Sequence, residues 1–130
     1  MIFVDTGVWF AKFVPDDASH ARVQRWFQST NEVLITTDYV IDETLTLLVA
    51  RKRFPRAHTA GQAFFHRTAA EIHFITPAQI HCAWVLFQQR GAGGWSFTDC
   101  TSKVVIDDLG ILTAAALDEH FRQFGIAVVP

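Results

Sequence analysis

The feature that most constrains this chain is a set of short, mostly apolar runs, each stopping at a polar or turn residue and separated by a helix-length stretch. Met1–Val4, Val33–Thr36, Glu71–Ile75, Ile111–Leu117 and Ile126–Val129 are such runs. A strand with one wet face alternates apolar and polar residues, whereas a strand covered on both faces reads as continuous apolar sequence. Strands of the second kind, interleaved with helices, predict an α/β fold: a three-layer α/β/α arrangement around a mostly parallel sheet of four to five strands. With 130 residues and no repeat, linker or low-complexity tract, a single domain over 1–130 is expected.

The intervening segments carry their own punctuation. Asp5-Thr6-Gly7 reads as a turn after the first strand. Pro15-Asp16-Asp17 breaks the chain and offers cap oxygens for a helix to about Ser29, with Ala21, Val23, Trp26 and Phe27 inward. Thr37-Asp38 caps a long helix to about Arg53, where Phe54-Pro55 interrupts it. A further helix covers about Arg56–Ala70, and Thr76-Pro77 opens one to about Arg90 with proline at its first position. Gly91-Ala92-Gly93-Gly94 reads as a flexible loop. Ser96 begins the next helix with Asp99 in an S-x-x-D capping arrangement, and that helix ends near Asp108-Leu109-Gly110. A short helix is expected over Asp118–Phe124.

Composition narrows the functional classes. The chain is 50% hydrophobic and 18% charged, which excludes intrinsic disorder. No apolar run approaches the ~20 residues a membrane span requires, and no basic segment precedes an apolar stretch at the start, so a cytoplasmic protein without membrane association is expected. Cys82 and Cys100 make no disulfide framework and are expected as reduced thiols. A net charge of −2 argues against a constitutive, non-specific nucleic-acid binder. It leaves a nuclease open, because a nuclease's carboxylates lower its net charge.

The acids point to the chemistry. Sites in open α/β sheets form beyond the carboxyl ends of the strands. Asp5 directly follows the first strand, Asp118 directly follows the fourth, and Asp99 lies in the first turn of a helix after a glycine-rich loop. Glu43 shares a helical row with Val40, Leu47 and Ala50, where a carboxylate is costly to bury unless something positive meets it. Four acids converging on one edge repel one another, and a divalent cation is the natural counter-charge. Oxygen-only ligands favour Mg²⁺ or Mn²⁺ over zinc. His20, His58, His66, His73, His81 and His120 are scattered, with no second ligand at zinc spacing. Carboxylate-held Mg²⁺ most often serves phosphate chemistry.

Each acid also has a plainer reading: Asp5 as a turn residue, Glu43 as a half-exposed helix residue, Asp99 as a helix-start charge, Asp118 as a cap. All four would have to be incidental at once. Asp16, Asp17, Asp42, Asp107 and Asp108 read as caps or solvated residues, and Cys100 as a small core residue. Arg51-Lys52-Arg53 with Arg56 is a basic cluster suited to phosphates or to a solvated helix end.

Ile2-Phe3-Val4-Asp5-Thr6-Gly7, Val40-x-x-Glu43, Ser96-Phe97-Thr98-Asp99 and Ala115-Ala116-Leu117-Asp118-x-x-Phe121 together resemble the PIN-domain ribonucleases, most nearly the small VapC-type toxins of toxin–antitoxin pairs. The resemblance spans nearly the whole chain. It implies that Asp5, Glu43, Asp99 and Asp118 are the catalytic, metal-binding acids, with Thr6 and Ser96 orienting ligands or water. It implies Mg²⁺-dependent hydrolysis of RNA (Mn²⁺ substituting), by in-line attack of activated water, leaving 5′-phosphate and 3′-hydroxyl ends. Expected substrates are tRNA or ribosomal RNA, and the expected partners are a small antitoxin and a second copy of the chain. Trp9, Phe10, Phe13, Trp26 and Phe54 are candidates to line the antitoxin groove, with packing in the core as their plainer reading. Where some relatives carry a further acid one turn beyond Asp99, this chain has Lys103, which throws more of a second metal's coordination onto Asp118. A receiver-like phosphoacceptor would need an acidic pair after the first strand and a lysine after the last, and a haloacid-dehalogenase-like phosphatase an acid at position 7; neither is present. A catalytically silent binding module of the same fold is the remaining alternative.

Overall fold

Five strands, all parallel, lie in the order β3-β2-β1-β4-β5 in the computed structural model, which describes residues 1–130. They are β1 (Ile2–Val4), β2 (Leu34–Thr37), β3 (Glu71–His73), β4 (Thr113–Ala115) and β5 (Ala127–Val129). β1 pairs with β2 through Ile2↔Leu34 and with β4 through Phe3↔Ala114 and Val4↔Ala115. The chain travels outward from β1 to β2 and β3, then returns across the sheet to β4 and on to β5. The direction of winding therefore reverses between β1 and β4, and a crevice opens there at the carboxyl ends of the strands.

Six α-helices cover the sheet: α1 (Thr6–Phe13), α2 (His20–Ser29), α3 (Asp38–Ala50), α4 (Phe54–Phe65), α5 (Pro77–Arg90) and α6 (Phe97–Asp108). α1 packs on α2, α3 and α4, while α5 packs on α6, and α6 on the 3₁₀ segment Glu119–Phe124. α3 also packs on α6, so the two sets meet, and right-handed crossovers, the rule for parallel strands, place the outward and return connections on opposite faces of the sheet.

Several local expectations change. Asp5-Thr6-Gly7 is the start of α1 rather than a free turn, with Asp5 in extended geometry at the N-cap. Asp16 and Asp17 do not cap α2, which begins at His20; Asp17 Oδ2 instead accepts the Ser19 amide at 2.9 Å and Asp16 pairs with Arg53. Ala21 faces solvent. α3 ends at Ala50, and Phe54-Pro55, expected only as an interruption, also starts α4, because proline at a helix's first turn forfeits no hydrogen bond. β3 and β4 are three residues each, shorter than their apolar runs, so Asp118 stands three residues beyond β4 rather than directly after it. Gly91–Gly93 forms a 3₁₀ turn closed by Gly94 at φ +95°, a left-handed conformation that side-chain-bearing residues rarely adopt.

One contiguous core of 27 buried residues runs through the molecule. Trp9 lies at its centre, fully buried against Phe13, Phe27 and Phe64. Its indole N–H donates to Thr36 Oγ1 at 3.2 Å, and that hydroxyl donates to the Val4 carbonyl at 3.0 Å, so α1, β1 and β2 are tied together. Trp9 is thus core and not groove lining; of the five aromatics expected to line a groove, only Phe54 is largely open, at 65% exposure. Trp9→Phe is expected to cost about 1–3 kcal/mol by leaving the Thr36 hydroxyl with one partner fewer and a void beside the ring, as read by urea unfolding.

Candidate active site

The crevice at the winding reversal is a cavity of about 300 Å³ lined by Asp5, Thr6, Gly7, Glu43, Leu47, Gly94, Ser96, Asp99, Asp118 and His120. All four acids singled out in the sequence are there, together with Thr6 and Ser96. Each arrives by a different local device. Asp5 is the first residue past β1, where its amide bonds the Ala115 carbonyl at 3.0 Å. It occupies the N-cap of α1, yet its carboxylate makes no cap bond and is left for the crevice. Glu43 comes from the second turn of α3, whose start is fixed by the Thr37 hydroxyl accepting the Val40 amide.

Asp99 is held by a reciprocal capping box. Ser96 Oγ accepts the Asp99 amide at 2.9 Å, and Asp99 Oδ2 accepts the Ser96 amide at 2.9 Å. Asp118 Oδ1 accepts the His120 amide at 2.8 Å and so starts the 3₁₀ segment. The plain cap reading and the site reading therefore hold together for Asp99 and Asp118. Capping fixes the backbone and aims the rest of the carboxylate into the crevice.

Electrostatics show the convergence. Burial pushes the Asp5 carboxyl up from 3.8 to about 8; the Thr6 amide pulls it down, while the charges of Asp99, Glu43 and Asp118 each raise it further. The acids therefore act on one another across a single space, and no lysine or arginine lines it. Thr6 Oγ1 is buried beside Asp5 with no hydrogen-bond partner. Converging carboxylates without a cationic side chain, beside an orphaned hydroxyl, are a donor set that fits a divalent cation.

The sequence reasoning missed His120. Its Nδ1 lies 3.0 Å from Asp99 Oδ2 and 3.2 Å from Asp118 Oδ1, bridging the two acids. It thereby adds a nitrogen to the acids expected from the sequence: one donor atom each of Asp99, Asp118 and His120 lies within 4.8 Å of the others, close enough to share an ion. A search at helical spacing passes over it, because His120 is only two residues from Asp118; the D-x-H spacing at a strand end was the available signal. Lys103 forms an ion pair with Asp107 and does not line the crevice. Cys100 is fully buried, and burial, with the Asp99 charge adding, pushes its thiol up to about 11, so it stays an unreactive core residue.

No family model matches the chain. Over 129 residues it is 34% identical to the 23S rRNA-specific endonuclease VapC20 of Mycobacterium tuberculosis, in strains CDC 1551 / Oshkosh and ATCC 25618 / H37Rv, spanning 99% of this chain and 98% of that protein. The chain belongs to the VapC family of PIN-domain toxins. It is a toxin endoribonuclease, and the resemblance seen in the motifs holds across its whole length. The crystal structure of Mycobacterium tuberculosis VapC20, a toxin that cleaves the sarcin–ricin loop, superposes with a TM-score of 0.91 at 31% identity over 98% of this chain and 97% of that one. FitAcB from Neisseria gonorrhoeae superposes with a TM-score of 0.71 at 17% identity, covering 100% and 97%. At that identity it speaks for the α/β fold alone. No helix of this VapC relative is long and apolar enough to cross a membrane.

Proposed function

We propose that this toxin cuts 23S ribosomal RNA with Mg²⁺, or Mn²⁺ in its place, held by Asp5, Glu43, Asp99 and Asp118, leaving 5′-phosphate and 3′-hydroxyl ends. The observation that carries the metal reading is the crevice itself, where Asp5, Glu43, Asp99 and Asp118 converge with no lysine or arginine among the lining residues. The rRNA substrate is supported by 34% identity to a 23S rRNA-specific endonuclease over nearly the whole chain. A bound divalent cation would polarise a phosphoryl oxygen and ease deprotonation of water.

The chain's own residues supply the rest. Asp99 and Asp118 are locked by their cap bonds, so their free oxygens keep one aim. Thr6 lies beside Asp5 with its buried hydroxyl unpartnered, free to hydrogen-bond a ligand of the site. The exposed Arg51 and Lys52, just past the end of α3, and Arg56, in the first turn of α4, would bind the RNA backbone. Exposed Phe54 and Phe65 on α4 and Trp84 on α5 suit an apolar protein surface such as an antitoxin or a second copy of the toxin.

The test uses purified protein and isolated 23S rRNA transcript. Discrete fragments with ligatable 5′-phosphate ends are expected in Mg²⁺ or Mn²⁺, with cleavage stopped by EDTA and restored by added Mn²⁺. Full activity in EDTA would sink the metal mechanism, and ends lacking a 5′-phosphate would sink the proposed chemistry.

A further inference from the structure

We propose that His120 supplies a nitrogen ligand to the cation of the acidic crevice, so that the site prefers a transition ion such as Mn²⁺ to Mg²⁺. This rests on the metal reading given above and adds a donor of a different kind to it. One donor atom each from Asp99, Asp118 and His120 lies within 4.8 Å of the others. His120 Nδ1 stands 3.0 Å from Asp99 Oδ2 and 3.2 Å from Asp118 Oδ1, hydrogen-bonding distances that hold the nitrogen against both carboxylates. Thr6, which also lines this space, carries a buried hydroxyl without a hydrogen-bond partner.

The imidazole is also placed from several sides. Its backbone amide is pinned to Asp118. The Trp95 ring lies 6.4 Å away at 34°, itself fixed by its indole N–H donating to Gln123 Oε1 at 3.0 Å. Gly94 gives room on the far edge, where a Cβ would stand 3.4 Å from Nε2, and its φ of +95° disfavours any side chain there. Without an ion, Nδ1 lies within hydrogen-bond reach of both carboxylates. With the ion, the neutral ring carries its proton on Nε2, which makes no protein hydrogen bond, and the Nδ1 lone pair faces the metal. Magnesium takes oxygen donors, whereas imidazole suits transition ions, so this nitrogen shifts preference toward Mn²⁺.

The experiment titrates the purified protein with Mn²⁺ and with Mg²⁺ by calorimetry, and records pulsed electron paramagnetic resonance of the Mn²⁺-loaded form. Wild type should show nitrogen-14 coupling to Mn²⁺. His120→Gln and His120→Asn, each checked for native circular dichroism, should lose that coupling. Both should weaken Mn²⁺ binding about tenfold or more and Mg²⁺ binding less than about threefold. Stoichiometric Mn²⁺ without nitrogen coupling would overturn the inference and leave the carboxylate site standing. Failure to bind Mn²⁺ at all would overturn the inference and the metal reading together.

Discussion

Asp99→Asn is expected to lower RNA cleavage by about a thousandfold or more while leaving the melting temperature unchanged or raised. The loss follows from removing a charge that acts where the phosphate's negative charge must be stabilised, a change on the order of 10²–10³ even for a single neutral donor and larger where a metal ligand is lost. The fold is spared because asparagine keeps a side-chain oxygen able to accept the Ser96 amide, and its own amide still reaches Ser96 Oγ. Stability even gains, because the Asp99 charge is one of those that repel Asp5. Single-turnover cleavage beside thermal unfolding separates the two effects. Wild-type cleavage by this variant would show that the crevice is not the active site, and a collapse of melting temperature would show that Asp99 is chiefly structural.

The second large effect is on pH and stability in EDTA. Asp5 titrates at 3.8 when unperturbed and at about 8 in the folded protein. Between those values the native state holds the proton and the unfolded chain does not. The native state is therefore favoured most at low pH and loses that advantage as pH rises through about 8, beyond which this contribution is flat. The loss is on the order of a few kcal/mol, or roughly 10 °C in melting temperature for a chain of this size. Asp5→Asn should flatten the slope. Mn²⁺ added at pH 8.5 should recover much of the loss by binding only the native state. A melting temperature in EDTA that stays level or rises from pH 5 to 8 would show that Asp5 is not held in its protonated form.

What could be read in advance, and what could not, divides along a physical line. The apolar runs announced a parallel sheet because burial on both faces leaves no polar side to a strand. The S-x-x-D at Ser96 and the T-P at Thr76 announced helix starts because a cap is satisfied within four residues, and both capping boxes are present. α1 was hidden because Asp5-Thr6-Gly7 has turn chemistry and the aromatics after it bury nearly all round, which blurs helical periodicity. Proline at position 55 was ambiguous because the same residue stops one helix and starts another.

The sequence by itself determined the fold class and the identities of the four acids, since both depend on residue type and near-neighbour spacing. Only the tertiary structure decided that His120 bridges Asp99 and Asp118, that Trp9 is core, and that Asp5 holds its proton to about 8. Those facts depend on distances between segments far apart in the chain and on how completely water is excluded between them. Both are set only when β1 and β4 lie side by side with α3 and α6 packed over the crevice.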